Sequence, residues 1–130
     1  MARSAILHVM VQAALKAGKS LSRDFGEVQN LQVSLKGPGD YVSQADRKAE
    51  EIVKAELMRA RPDYGFLGEE GGATEGVDGQ HRWIVDPLDG TTNFLHGIPM
   101  FAISIALERQ GQIVAFVIND PATTEIYTAE

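Results

Sequence analysis

The run Phe101-Ala102-Ile103-Ser104-Ile105-Ala106-Leu107 is followed, after a short interval, by Ile113-Val114-Ala115-Phe116-Val117-Ile118. In the first run large apolar side chains alternate with small ones, the period of a strand with one bulky face and one face open to close approach. The second is apolar at every position, which predicts a strand covered on both faces. Gln110-Gly111 between them predicts a tight turn, and with it an antiparallel hairpin. A further strand is expected over Glu125-Ile126-Tyr127-Thr128-Ala129.

Upstream the period changes to that of helices. From Ala5 to Leu21 the residues Ala5, Ile6, Val9, Met10, Ala13, Ala14, Ala17 and Leu21 recur at steps of three and four, with His8, Gln12, Lys16 and Ser20 facing away. A second helix is expected from about Gln44 to Ala60, opened by Ser43 and Asp46 as a capping box and ended by Pro62. Between the helices, Lys36-Gly37-Pro38-Gly39-Asp40 predicts a loop centred on Gly37. Tyr64-Gly65-Phe66-Leu67 predicts a short strand leading into Gly68-Glu69-Glu70, and the glycine-rich stretch 71–80 a mobile surface loop. Helices first and hairpin-linked strands later describe an α+β fold, two helices on an antiparallel sheet. Two helices cover only one sheet face, so the doubly apolar strand asks for cover from a further part of the protein.

Composition narrows the function. The chain has 130 residues, 44% of them hydrophobic, which suits one core. Its 12 basic residues are scattered against 18 acidic ones, for a net charge of −6, so direct nucleic-acid binding is not expected. The absence of cysteine excludes disulfides and zinc–thiolate sites and fits a reducing compartment. No run approaches the roughly 20 apolar residues of a membrane span, and Arg3, His8 and Gln12 break up any secretory leader. A cytoplasmic enzyme acting on small molecules is the expectation.

The chemistry concentrates in Trp83-Ile84-Val85-Asp86-Pro87-Leu88-Asp89-Gly90-Thr91-Thr92-Asn93. An apolar strand is expected to end at Asp86, with the chain turning over Leu88 so that Asp86, the Leu88 carbonyl and Asp89 converge. Hard oxygen ligands of this kind suit Mg²⁺ rather than zinc. Residues 89–97 predict a short helix with Asp89 or a threonine near its N-cap and Gly97 at its C-terminal end. Backbone N–H groups at such a start donate to phosphate oxygens, and Gly90 allows a ligand close to the backbone.

With Gly68-Glu69-Glu70 upstream, this stretch resembles the inositol monophosphatase family of Mg²⁺-dependent, lithium-sensitive phosphatases. The continuation Thr92-Asn93-Phe94-Leu95-His96-Gly97 looks like the inositol monophosphatase branch more than the nucleotide-phosphatase branch. The resemblance covers nearly the whole chain and implies a layered α/β sandwich of the inositol monophosphatase and fructose-1,6-bisphosphatase type, usually a homodimer. It implies that Glu69 binds the first metal and receives the proton of the attacking water. Asp86 and Asp89 become metal ligands, with the Leu88 carbonyl between them. Thr91 orients the water and Asp46 holds the Thr91 hydroxyl; Asp89, Gly90 and Thr91 contact the substrate, and Lys36 lies at the rim. The expected reaction is hydrolysis of myo-inositol-1-phosphate to myo-inositol and phosphate by direct in-line attack, with no phosphoenzyme. Family members continue for roughly as many residues again, through a Trp-Asp motif that completes the second metal site, so residues 1–130 read as the N-terminal metal-binding half. Two alternatives share the scaffold: a regulatory partner of the transcription machinery, and fructose-1,6-bisphosphatase activity.

Overall fold

The computed structural model describes residues 3–28, 37–69 and 71–130. Lys36 and Glu70, both considered above, lie outside the described residues. Helix α1 (Ala5–Val28) and helix α2 (Gly37–Ala60) pack side by side on one face of a sheet. The sheet holds β1 (Gly65–Leu67), β2 (Ala73–Thr74), β3 (His81–Asp89), β4 (Ala102–Arg109), β5 (Gln112–Asp120) and β6 (Glu125–Ala129) in the order β2-β1-β3-β4-β5-β6. A third helix, α3 (Thr91–Leu95), links β3 to β4. This is the expected α+β layered arrangement.

Helix α1 opens on Ser4, whose hydroxyl accepts the Leu7 N–H (3.2 Å) as an N-cap and donates to Glu130 Oε2 (2.7 Å), tying the first turn to the residue after β6. Its buried stripe is Leu7, Met10, Val11, Ala13, Ala14, Ala17 and Leu21, so Ala5 belongs outside it and Leu7 and Val11 inside. Ser20, expected to face water, is buried, as is Asp24 one turn later. The helix runs past Leu21 because Phe25 has partners of its own: the Phe94 and Phe101 rings, at 5.5 and 5.0 Å between centroids.

Helix α2 starts at Gly37, not near Gln44, so the loop expected at residues 37–40 is the helix's first turn. Proline is compatible with a first turn, where its missing N–H has no intrahelical acceptor to serve. Ser43 and Asp46 therefore sit inside the helix, and the capping box is absent. Val42, Ala45, Asp46, Ala49, Glu50, Val53 and Leu57 form its buried face.

The sheet is mixed rather than wholly antiparallel. β1 pairs parallel with β3 (Phe66 opposite Trp83), because the intervening chain first returns along the outer edge as β2. The expected loop over residues 71–80 thus contributes two residues to the sheet and is otherwise turn and coil. Gln110 and Gly111 both take positive φ (51° and 83°), the two-residue hairpin turn expected from the sequence.

Helices cover only the face carrying Trp83, Val85, Ile103, Ile105, Ala115 and Val117. On the opposite face the pairing places Ile84, Ala106 and Phe116 in one row and Ile118 beside Tyr127 in another. Phe116 and Ile118 are half-buried, while Ile113, Val114 and Tyr127 are exposed. The double cover expected for residues 113–118 is thus absent among the described residues. The exposure of Ile113 and Val114 also reflects a bulge: Leu107 pairs with Ala115 and Glu108 with Ile113, leaving Val114 unpaired.

Candidate active site

The β3 strand does not stop at Asp86. Asp86 pairs with Ser104 and Asp89 with Ala102, so three steps along β3 match two along β4 and one residue is bulged out. Pro87 explains the position of the bulge, since it has no N–H to give the ladder. Pro87 and Leu88 are buried, and the flanking Asp86 and Asp89 are half-buried and exposed. The bulge thus anchors the turn through an apolar side chain and leaves polar groups at its margins.

Gly90 follows at φ 92°, ψ 36° as the N-cap of α3, with no side-chain cap. A Cβ on Gly90 would lie 2.7 Å from the Met100 carbonyl oxygen, so glycine is required by the chain's own close approach as well as by its left-handed backbone. His96 is the C-cap of α3, one residue earlier than the expected Gly97, and its Nδ1 lies 2.8 Å from the Thr92 carbonyl oxygen. Phe94 is buried and anchors α3 against Phe101 (5.0 Å).

The named residues meet as follows. Asp86 Oδ1 accepts the Leu88 N–H (3.3 Å), and the Asp86 carboxyl shares a hydrogen bond with the Glu69 side chain, which arrives from the end of β1. Burial pushes the Asp86 pKa above the usual carboxylate value, and the neighbouring Asp89 adds to the rise, against the lowering effect of the hydrogen bonds from Leu88 and Glu69. The Thr91 hydroxyl donates to the Leu88 carbonyl oxygen (3.2 Å). Asp46 is buried on α2, which packs against both β3 and α3. A cavity of about 330 Å³ opens beside Asp89 and Gly90, lined also by Asn93, Met100, Phe101, Ala102 and Asp120.

Among the described residues no three His, Asp or Glu side chains gather tightly enough to hold a metal ion. The donor chemistry nonetheless suits a hard divalent cation. Two carboxyl groups in hydrogen-bond contact need either a shared proton or a cation between them, and Glu69 with Asp86 is such a pair. The Leu88 carbonyl accepts one hydrogen bond and keeps a second lone pair for a ligand.

Two contributors escaped the sequence reading. Asp120 lines the cavity from the end of β5, and its Oδ1 accepts the Ala122 and Thr123 N–H groups. Glu50 lies buried one helical turn after Asp46. Its signal was available only as the i, i+4 spacing from Asp46, a spacing shared with many solvated helix glutamates.

The inositol monophosphatase family model matches residues 2–130. An inositol-1-monophosphatase of Mesorhizobium japonicum is 82% identical over the whole chain, which covers 49% of that protein. The Nus factor SuhB of Escherichia coli is 36% identical over 95% of the chain and 46% of its own length. Among solved structures, the extragenic suppressor protein suhB of Bartonella henselae aligns with a TM-score of 0.87 at 71% identity, over 98% of this chain and 49% of that one. The chain therefore spans about half the length of the relatives it matches. The match along the sequence and the agreement in fold lead to one assignment: the chain belongs to the inositol monophosphatase family.

Proposed function

We propose that these residues form the N-terminal, metal-binding half of a Mg²⁺-dependent phosphate monoesterase whose principal substrate is myo-inositol-1-phosphate. The observation that carries this reading is the contact of Glu69 with Asp86 at the margin of the β3 bulge, beside the Leu88 carbonyl and the Thr91 hydroxyl. The relatives named inositol-1-monophosphatase support the substrate class.

Glu69, Asp86, Asp89 and the carbonyl of Leu88 would hold Mg²⁺. When bound, Mg²⁺ supplies charge stabilisation to the phosphoryl oxygens and lowers the pKa of a bound water. The Thr91 hydroxyl commits its proton to the Leu88 carbonyl, so its oxygen is left to accept from the attacking water and orient it. Asp46, buried on α2 where that helix packs against α3, supports the Thr91 segment without taking that proton, and Glu69 takes the water's proton. Positioned proton transfer of this kind contributes about 10²–10⁴-fold. Asp89 contacts the substrate, and the N–H groups of Gly90 and Thr91, left without a side-chain cap, receive phosphate oxygens. The remaining half of the protein supplies the Trp-Asp motif of the second metal site and covers the open sheet face. The protein acts in the cytoplasm as a lithium-sensitive homodimer; no described helix is long and apolar enough to cross a membrane.

A second reading, a regulatory partner of the transcription machinery on the same scaffold, is favoured by the relatives named Nus factor SuhB, 36–46% identical to this chain. Phosphate release from myo-inositol-1-phosphate, fructose-1,6-bisphosphate and a nucleotide monophosphate, with Mg²⁺ and with chelator, separates these readings. Turnover of the inositol phosphate above the others, lost with chelator, is expected. No Mg²⁺-dependent turnover of any of them would leave the regulatory reading.

A further inference from the structure

Helix α2 brings a second acidic side chain to this site, and it faces the backbone of the turn that carries Glu69. Glu50 is 6% exposed. Its Oε1 accepts the Glu69 N–H at 2.5 Å and its Oε2 accepts the Gly71 N–H at 3.0 Å, so the two oxygens of one carboxyl group hold the backbone at both Glu69 and Gly71. The grip is close: a Cβ on Gly68 would come within 2.6 Å of Glu50 Cδ. The Gly68 N–H donates to the Gly72 carbonyl oxygen (3.2 Å), closing the turn behind the carboxyl group. A side chain at position 68 therefore cannot coexist with Glu50 in this position.

This arrangement addresses a mechanical difficulty. Glu69 is exposed and follows a three-residue strand, so its own loop does little to fix where its carboxyl meets Asp86. α2, by contrast, is packed against β3, the strand that carries Asp86. A side chain rooted in α2 that holds the Glu69 backbone ties the two strands' acids to one rigid element. Asp46 and Glu50 lie one turn apart on the same face of that helix, so α2 carries supports for both sides of the site. Burying a carboxyl group is costly unless its oxygens are hydrogen-bonded, and backbone N–H groups that need acceptors provide the compensation.

We infer that Glu50 is a positioning residue that holds the Gly68-Glu69 turn in register with Asp86 and so sets the geometry in which Glu69 meets the cation. This inference rests on the metal-site reading given under Proposed function. Glu50 itself does not touch the cation or the substrate.

The test uses the protein at the full length of its relatives, with Glu50→Gln and Gly68→Ala, which disturb the contact from opposite sides. Three quantities are measured: Mg²⁺ affinity by calorimetry without substrate, amide hydrogen exchange at Glu69 and Gly71, and the melting temperature. Loss of an outer support of this kind lowers metal affinity about 10–100-fold. Both variants are expected to weaken Mg²⁺ binding within that range and to lose protection at the two amides while still melting cooperatively. Unchanged protection with unchanged affinity in a folded Glu50→Gln would overturn the inference. Lost affinity with unchanged protection would overturn it too, making Glu50 a ligand. If Glu50→Gln does not fold, Gly68→Ala alone decides by the same criteria. If the unsubstituted protein binds no Mg²⁺, the metal-site reading fails, and amide exchange then decides the positioning role by itself: lost protection supports it, retained protection overturns it.

Discussion

Gly90 stands between the bulge of β3 and the first turn of α3 with φ at 92°, and the Met100 carbonyl occupies the space a side chain would need. Gly90→Ala is therefore expected to destabilise the protein by about 1–3 kcal/mol, read from urea unfolding, with a further loss of turnover as the bulge shifts. A change of under about 0.5 kcal/mol, the range of ordinary surface substitutions, would mean that the turn relaxes freely. One residue on, Thr91 makes its side-chain hydrogen bond to the Leu88 carbonyl. Thr91→Ala is expected to lower kcat by about 10²-fold or more while Mg²⁺ affinity changes far less; equal losses in both would argue that Thr91 supports the metal rather than the water. At this scale the acids Asp86 and Asp89 stood out in the sequence because Pro87 lies between them and Gly90 follows, residues that mark an irregularity in the strand. Glu50 was not, since one glutamate on an amphipathic helix looks like any other until the fold brings the Gly68–Gly71 turn against it.

The turn entering β3 is governed by one carboxylate. Asp78 Oδ1 accepts the N–H groups of Gln80 (2.9 Å) and His81 (3.1 Å), and Oδ2 lies 2.6 Å from His81 Nδ1, whose ring stacks on Tyr64 with centroids 4.2 Å apart. The Gln80 N–H above all, and then the His81 contacts, hold the Asp78 pKa down to about 2 from 3.8. A carboxyl group lowered on folding stabilises the fold above its unfolded pKa and loses that contribution as pH falls toward the folded value. The melting temperatures of the protein and of Asp78→Asn are thus expected to differ at neutral pH and to converge as pH drops from 3.8 to about 2; a constant offset would contradict the assignment. The helices and the Gln110-Gly111 hairpin were legible because each depends on local period or turn chemistry. The start of α2, the parallel pairing of β1 with β3 and the course of β3 through Pro87 were not. Pro38 serves a first helical turn as well as a loop, while strand direction and bulge register depend on contacts distant in sequence.

Across the whole molecule, one sheet face is sealed by α1 and α2 and the other presents Phe116, Ile118 and Tyr127 without a covering layer among the described residues. The continuously apolar sequence at residues 113–118 is consistent with a second layer supplied by the remaining half of a protein as long as its relatives. In such a protein Phe116→Ala is expected to cost about 3–5 kcal/mol, the range for removing a buried aromatic ring; a loss below about 1 kcal/mol would mean that the face stays open to water. Under the proposed function, this chain would bring the carboxyl groups of Glu69, Asp86 and Asp89 to a metal site that the remaining half completes. The most direct measurement is Mg²⁺-dependent phosphate release from myo-inositol-1-phosphate by the full-length protein and its Asp89→Asn variant, with melting curves to establish that both are folded. Abolished turnover in a folded Asp89→Asn is the expected result; turnover equal to that of the unsubstituted protein would contradict the metal site at the end of β3.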